Sequence, residues 1–226
     1  MIKSYTSTIC AALLLFVSCG APADKNEKQI ADTESNAKNN NAIPLVDGKY
    51  GIDTANSIVN WRGTEITEKF HVGTVNIYKG TIEVTDRSFK GTIAVDMESI
   101  QCTDENMLSG SKENLVRHLK SDDFFGVEDF PLARIKISDG KIDETNAHAY
   151  GVITVRDISH PIEFPLSLSM ENDRLIADAR LKFNRADHNV TFRSGAFPEL
   201  FPDLGDKLIN DEIELEVHIE AVTKPS

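Results

Sequence analysis

The sequence predicts an all-β fold, a barrel or a sandwich, over the part of the chain that follows residue 46. Three observations carry this. Apolar and polar residues alternate with period two through most of residues 57–222, the mark of half-buried strands. Turn-forming groups, Lys79-Gly80, Asp86-Arg87, Ser138-Asp139-Gly140 and Glu171-Asn172-Asp173, punctuate the alternation at a spacing that suits roughly eight or more strands. One stretch, 111–125, breaks the pattern with helical spacing instead.

Taken in order, the first strand candidate is SIVNWRG at 57–63, which holds the only tryptophan, Trp61. GTVNIYKGTIEVT (73–85) and FKGTIAVDM (89–97) follow, the latter opening on Phe89. In the helical stretch Ser111 can cap, Glu113 sits in the first turn, and Leu115 and Leu119 share a face four residues apart. ARIKI alternates Ala133, Ile135 and Ile137 with Arg134 and Lys136, and AHAYGVITVRD (147–157) comes next. PIEFPLSLSM puts Ile162, Phe164, Leu166, Leu168 and Met170 on one face. RLIADARLKF does the same for Leu175, Ala177, Ala179, Leu181 and Phe183. After a long GAFPELFPDLGDKL connection, DEIELEVHIEAV alternates Ile213, Leu215, Val217, Ile219 and Ala221 with acids and His218. A closed barrel removes the free edges of an open sheet, and eight antiparallel strands enclose about enough room for side chains or one small ligand. The inner faces are nearly free of charge, so the prediction is an apolar interior within an acidic exterior.

The chain begins with MIKSYTSTIC, then AALLLFVS, then Cys19-Gly20. The apolar run is too short to span a bilayer and fits a cleaved export signal over residues 1–18. Its ending, FVSC, resembles the lipobox of bacterial lipoproteins, which makes Cys19 the expected lipidation site and first mature residue. Loss of Lys3 with the signal moves the formal charge from −12 to −13. Two or more acyl chains on Cys19 suffice for stable anchoring. Residues 19–46 carry few large apolar groups and a run of asparagines, so they read as a flexible tether. The folded unit is then 47–226. Cys10 leaves with the signal and Cys19 carries lipid, so Cys102 is alone, without a disulfide partner, and reads as a small core hydrophobe. The acidic balance argues against a nucleic-acid partner.

Several stretches resemble the YceI-like family of exported, lipocalin-like proteins: HLKSDDFFGVEDFPLARIKI (118–137), YGVITVRDISHPIEFPLSL (150–168), ADARLKFNRADHNV (177–190), INDEIELEVHIEA (209–221) and FHVGTVNIYKGTIEV (70–84). Ser159-His160-Pro161 stands where that family usually has Thr-Lys-Pro, and no lipocalin Gly-x-Trp signature is present. The resemblance spans about residues 50–222. It implies an eight-stranded antiparallel lipocalin-like β-barrel with a short helical segment. It also implies that the barrel holds a polyisoprenoid chain, such as a quinone tail, in an apolar tunnel.

On that reading Trp61, Phe89, Ile135, Phe164, Leu166, Leu168 and Phe183 are expected to line the cavity. His71 is expected at the mouth beside Gly73, within reach of a quinone or hydroxyl head group. Phe124, Phe125 and Phe130 are expected to point inward over the apolar end, with their neighbouring acids in water. No catalytic residue, metal or cofactor is expected. The sequence carries no G-x-S-x-G, no H-E-x-x-H, no phosphate loop and no cysteine pair, and none of its six histidines has another at i+2 or i+4. The expected partners are an isoprenoid lipid and the membrane through Cys19, with a homodimer left open. The expected location is a bacterial cell envelope, periplasm-facing or at the outer membrane. Two alternatives stand beside this. One is a hydrolase or isomerase of lipophilic substrates that uses His71 or His118 with a carboxylate. The other is a purely structural envelope module.

Overall fold

The computed structural model describes residues 45–143 and 146–224. The signal segment, most of the tether and Cys19 lie outside the described residues. The elements run β1 (Gly48–Ile52), β2 (Ile58–Thr64), β3 (Phe70–Thr85), β4 (Ser88–Cys102), α1 (Ser109–Lys120), β5 (Leu132–Ile142), β6 (Ala147–Val155), β7 (Ile158–Glu171), β8 (Arg174–Asn184) and β9 (Glu212–Thr223).

Strands β2 to β9 pair in sequence order, all antiparallel, and β9 returns to β2, so the sheet closes on itself as an eight-stranded barrel. Closure leaves no continuous edge to template aggregation. β1 occupies the same gap between β3 and β9 as β2, further along: it pairs with Thr81–Val84 and with Ala221–Thr223, whereas β2 pairs with Phe70–Asn76 and Glu214–His218. The two segments are one stave interrupted at residues 53–57. At that break Asp53 holds the Arg174 guanidinium at 2.7 Å, a contact that lowers the Asp53 pKa to about 2.

Four local expectations need correction. Lys79-Gly80 and Ser138-Asp139-Gly140 are not turns; β3 and β5 run through them, with register shifts between Ile77 and Lys79 and between Ile137 and Asp139. The shifts are β-bulges at Tyr78 and Ser138, and the glycines stay in register beside them. The helix spans Ser109–Lys120 and not 111–125, because Ser121–Phe125 turn the chain. Its N-cap position is Leu108, without a side-chain cap, and Ser111 lies inside the first turn.

The two barrel ends differ. At the hairpin end, Tyr50, Ala149, Leu175 and Ala221 are wholly buried, and the Tyr50 hydroxyl donates to the Val46 carbonyl at 2.6 Å. The Phe89 ring lies flat over Gly140, where a Cβ would come within 2.4 Å of it. At the other end, α1 and the excursion 185–211 cover the staves. The excursion is gathered around Arg185, which is fully buried and whose guanidinium donates to the carbonyls of Val190, Phe192, Ile209 and Asn210.

One seam of the barrel is only half bonded. β8 pairs with Leu166–Glu171 of β7, but Ile158–Pro165 pairs with β6 alone. Pro161 and Pro165 fall in that unpaired half, and a strand tolerates proline where its missing N–H faces a free edge. His188 spans the seam: its Nδ1 donates to the Ile158 carbonyl at 2.9 Å, and its ring meets those of His160 and Phe183 edge-on at 5.1 and 5.7 Å.

His188 is 1% exposed, and burial pushes its imidazole below the ordinary 6.5 despite the bond to Ile158. At pH 8 the folded and unfolded chains are both unprotonated at this site, so the shift contributes nothing. As pH falls through about 6.5 the unfolded chain takes up a proton that the folded site refuses, and stability drops. His188→Gln is expected to be less stable at pH 8 but to lose less stability between pH 7 and pH 5. Urea unfolding across that range measures it; an unchanged slope contradicts the assignment.

Candidate functional site

Inner side chains from every stave surround a central cavity of about 220 Å³. Room exists because mid-barrel positions on β5 and β8 are small, namely Ala133, Ala177 and Ala179, while Phe89, Phe164 and Leu168 close in toward the hairpin end. The wall is apolar almost throughout. Its only polar positions are Thr64, Glu65, His71 and Arg134, and Arg134 lies on the strand alternation that places its side chain on the outer surface.

Trp61, His71, Phe89, Phe124, Phe125, Ile135, Phe164, Leu166, Leu168 and Phe183 all border the cavity. Phe130 does not. Its ring is half-buried beneath the Arg156 guanidinium, 5.4 Å from the ring centre, because Arg156 also donates to the carbonyls of Asp122 and Phe124 and so occupies the outer side of this loop. Leu115 and Leu119 of α1 reach the cavity from above, as does Ile209 of the excursion. Ile209 carried no periodic signal in the sequence; its place depends on bridging to Glu65 across 144 residues of chain (209 − 65).

The aromatic cover is a contiguous cluster. Phe124 packs against Phe125 at 6.1 Å and Phe192 at 5.4 Å, and Phe192 in turn against Phe201 at 5.6 Å. His118 stands edge-on to Phe124 and Phe192 and binds Asp123 at 3.1 Å, outside the cavity wall.

His71 supplies the one polar corner inside. Alternation along β3 turns His71, Gly73 and Val75 to the same face, and Gly73 is required there because a Cβ would strike the Gln101 carbonyl at 1.9 Å and the Trp61 ring at 2.4 Å. Trp61 therefore lies directly over β3, and its Nε1 is buried without a hydrogen-bond partner. His71 Nδ1 sits 3.1 Å from Asp104 Oδ2. Asp104 is 8% exposed and also accepts from the Asn106 N–H at 3.0 Å. The bond to His71, then that to Asn106, holds its carboxyl below the usual carboxylate value. Asp104 was not legible as a site residue, since it meets His71 only through the β4–α1 connection. Among the described residues no cluster of three or more His, Cys, Asp or Glu is placed to hold a metal ion. No helix of the described residues is long and apolar enough to cross a membrane.

Comparison with known proteins places this geometry in a wider set. Residues 50–221 match the profile of the YceI-like domain. The crystal structure of BcnA from Burkholderia cenocepacia is similar at 15% identity with a TM-score of 0.60, over 76% of this chain and 99% of that one. A domain from Saccharophagus degradans, described as polyisoprenoid-binding and implicated in plant cell wall breakdown, is similar at 12% identity with a TM-score of 0.54, over 77% of this chain and 98% of that one. At those identities the likeness is one of fold. No curated protein matches the chain.

Proposed function

The chain belongs to the YceI-like family, and on that premise we propose that its barrel binds and carries a lipid of the isoprenoid class, a polyisoprenoid or the tail of an isoprenoid quinone. The observation that carries this reading is the cavity itself: a closed barrel whose wall is apolar apart from four positions near one end. Such a space suits an unbranched or methyl-branched hydrocarbon and offers little to a polar solute. The description of the Saccharophagus domain as polyisoprenoid-binding supports the same ligand class. Phe89, Phe124, Phe125, Ile135, Phe164, Leu166, Leu168 and Phe183 are the side chains assigned to the tail, and His71 and Trp61 to the head end. The protein would be exported and held at a bacterial membrane through lipid on Cys19.

The reading is of binding and not of catalysis. His71 does meet a carboxylate, Asp104 at 3.1 Å, and Thr64 and Glu65 also border the wall. Binding is preferred because the rest of the lining is apolar, and His118, the other candidate base, lies outside it. Burying on the order of 400 Å² of tail at about 25 cal/mol/Å² yields roughly 10 kcal/mol gross. Association and ordering remove about 4 kcal/mol or more, so the tail alone reaches only affinities in roughly the tens of micromolar.

Trp61 is the only tryptophan and borders the cavity, so its fluorescence reports occupancy. Titration with a prenyl lipid in detergent is expected to give a saturable change in Trp61 emission. A flat titration with ligand still in solution would count against the proposal.

A further inference from the structure

We infer that His71, Asp104 and Trp61 form a head-group site that selects a neutral, hydroxyl-bearing lipid, such as an isoprenoid alcohol, over a prenyl diphosphate. The inference rests on the lipid-binding reading above and concerns which end group that lipid carries.

The Asp104 carboxylate can only accept hydrogen bonds, and it faces His71 Nδ1 at 3.1 Å. In the neutral imidazole this places the proton on Nδ1 and leaves Nε2 as a lone-pair acceptor. Among the described residues Nε2 has no partner. Trp61 contributes the opposite capacity, an indole N–H that is buried and unpaired. A buried polar group left unpaired is rare in folded proteins and costs the desolvation of that group. The indole lies over Gly73, two residues from His71 on the same face of β3, a separation of roughly 7 Å along a strand. One donor and one acceptor thus stand on the same side of the sheet, two β3 positions apart. A hydroxyl has both complements, since it donates one hydrogen bond and accepts others, whereas a carbonyl or phosphate oxygen only accepts.

Charge points the same way. Recognition of a diphosphate draws on Arg, Lys or a helix N-terminus directed at the oxygens. Here no lysine borders the cavity, and Arg134 projects from the outer side of β5. Arg185 is engaged by four carbonyls and lies beside Asp211. Glu65 borders the cavity and Asp104 touches His71. The cations beside them, Lys69 at 3.9 Å from Glu65 and Lys112 acting on Asp104, are already matched to these carboxylates, so none is left over for an anionic head.

The test compares three ligands with the same prenyl chain, the alcohol, the diphosphate and the hydrocarbon lacking a head, bound to the full-length chain in detergent at pH 8, with Trp61 emission and radioligand retention as readouts. The alcohol is expected to bind about tenfold more tightly than either of the others. His71→Phe is expected to bring the alcohol to within about threefold of the hydrocarbon, the ratio of the two being the readout. Asp104→Asn, which no longer fixes the proton on Nδ1, is expected to narrow the same gap and serves as the second variant should His71→Phe fail to fold. Equal binding of alcohol and hydrocarbon, tighter binding of the diphosphate, or an undiminished gap in a folded variant overturns the head-group site and leaves the lipid reading standing. Failure of all three ligands to bind overturns both.

Discussion

Arg185→Met is expected to lower the melting temperature by on the order of 10 °C, the largest single loss of stability in the domain. The guanidinium is wholly buried. Its Nε donates to the Asn210 carbonyl at 3.1 Å, one terminal nitrogen to Val190 and Phe192 at 2.8 and 3.0 Å, and the other to Ile209 at 3.0 Å. Asp211 Oδ1 lies 3.1 Å from Nη2. That oxygen forms an ion pair off the N–H direction and has no hydrogen bond of its own. The fork of donors in fixed directions is what lets one side chain satisfy carbonyls from both ends of the excursion. Methionine replaces the volume but leaves four carbonyls and a carboxylate without their cation. Breaking a buried charge pair from one side costs about 3–5 kcal/mol, and each kcal/mol shifts the melting point by about 2–4 °C in a domain of this size. Arg185→Lys restores the charge without the fork and is expected to recover only a minor part. Thermal melts followed by circular dichroism decide this; a shift of less than about 2 °C for Arg185→Met contradicts the keystone role.

Ala179→Phe is expected to abolish lipid binding while leaving the barrel folded. Ala179 faces the cavity from β8, directly across from Leu166 of β7 and Val217 of β9. A benzyl group there projects into space and not into a packed neighbour, so the usual overpacking cost of about 1–3 kcal/mol is largely avoided. The same ring takes up room that the prenyl chain needs. Affinity is expected to fall by at least about tenfold, with the melting temperature within a few degrees of the parent. If Ala179→Phe binds as well as the parent, the ligand does not occupy the middle of the barrel.

How much of this could be read from the chain follows from how local each cause is. β7, β8 and β9 were legible because each alternates over ten or more residues, and the named inner faces border the cavity except at Ile162, Met170, Leu175 and Ala221. β1 was not, since five residues with glycines at 48 and 51 carry too little alternation, and its pairing completes a stave begun elsewhere. Lys79-Gly80 looked like a turn, yet a Cβ at Gly80 would meet Ile52 at 2.3 Å and the Thr92 carbonyl at 2.9 Å, so the glycine answers to close packing against other strands. Phe124 and Phe125 face the cavity and Phe130 does not, a difference set by Arg156, which reaches the loop from the β6–β7 turn. The contact of Asp104 with His71 and the convergence of four carbonyls on Arg185 also join segments distant in sequence, and no periodicity announces them.

The most direct measurement of the central claim is mass spectrometry of lipids extracted from the full-length protein after mild purification from its native membrane. The account predicts a near-stoichiometric isoprenoid lipid that is depleted from the Ala179→Phe variant prepared in parallel. A protein that carries no lipid, or carries bulk membrane phospholipid equally in both preparations, would contradict it.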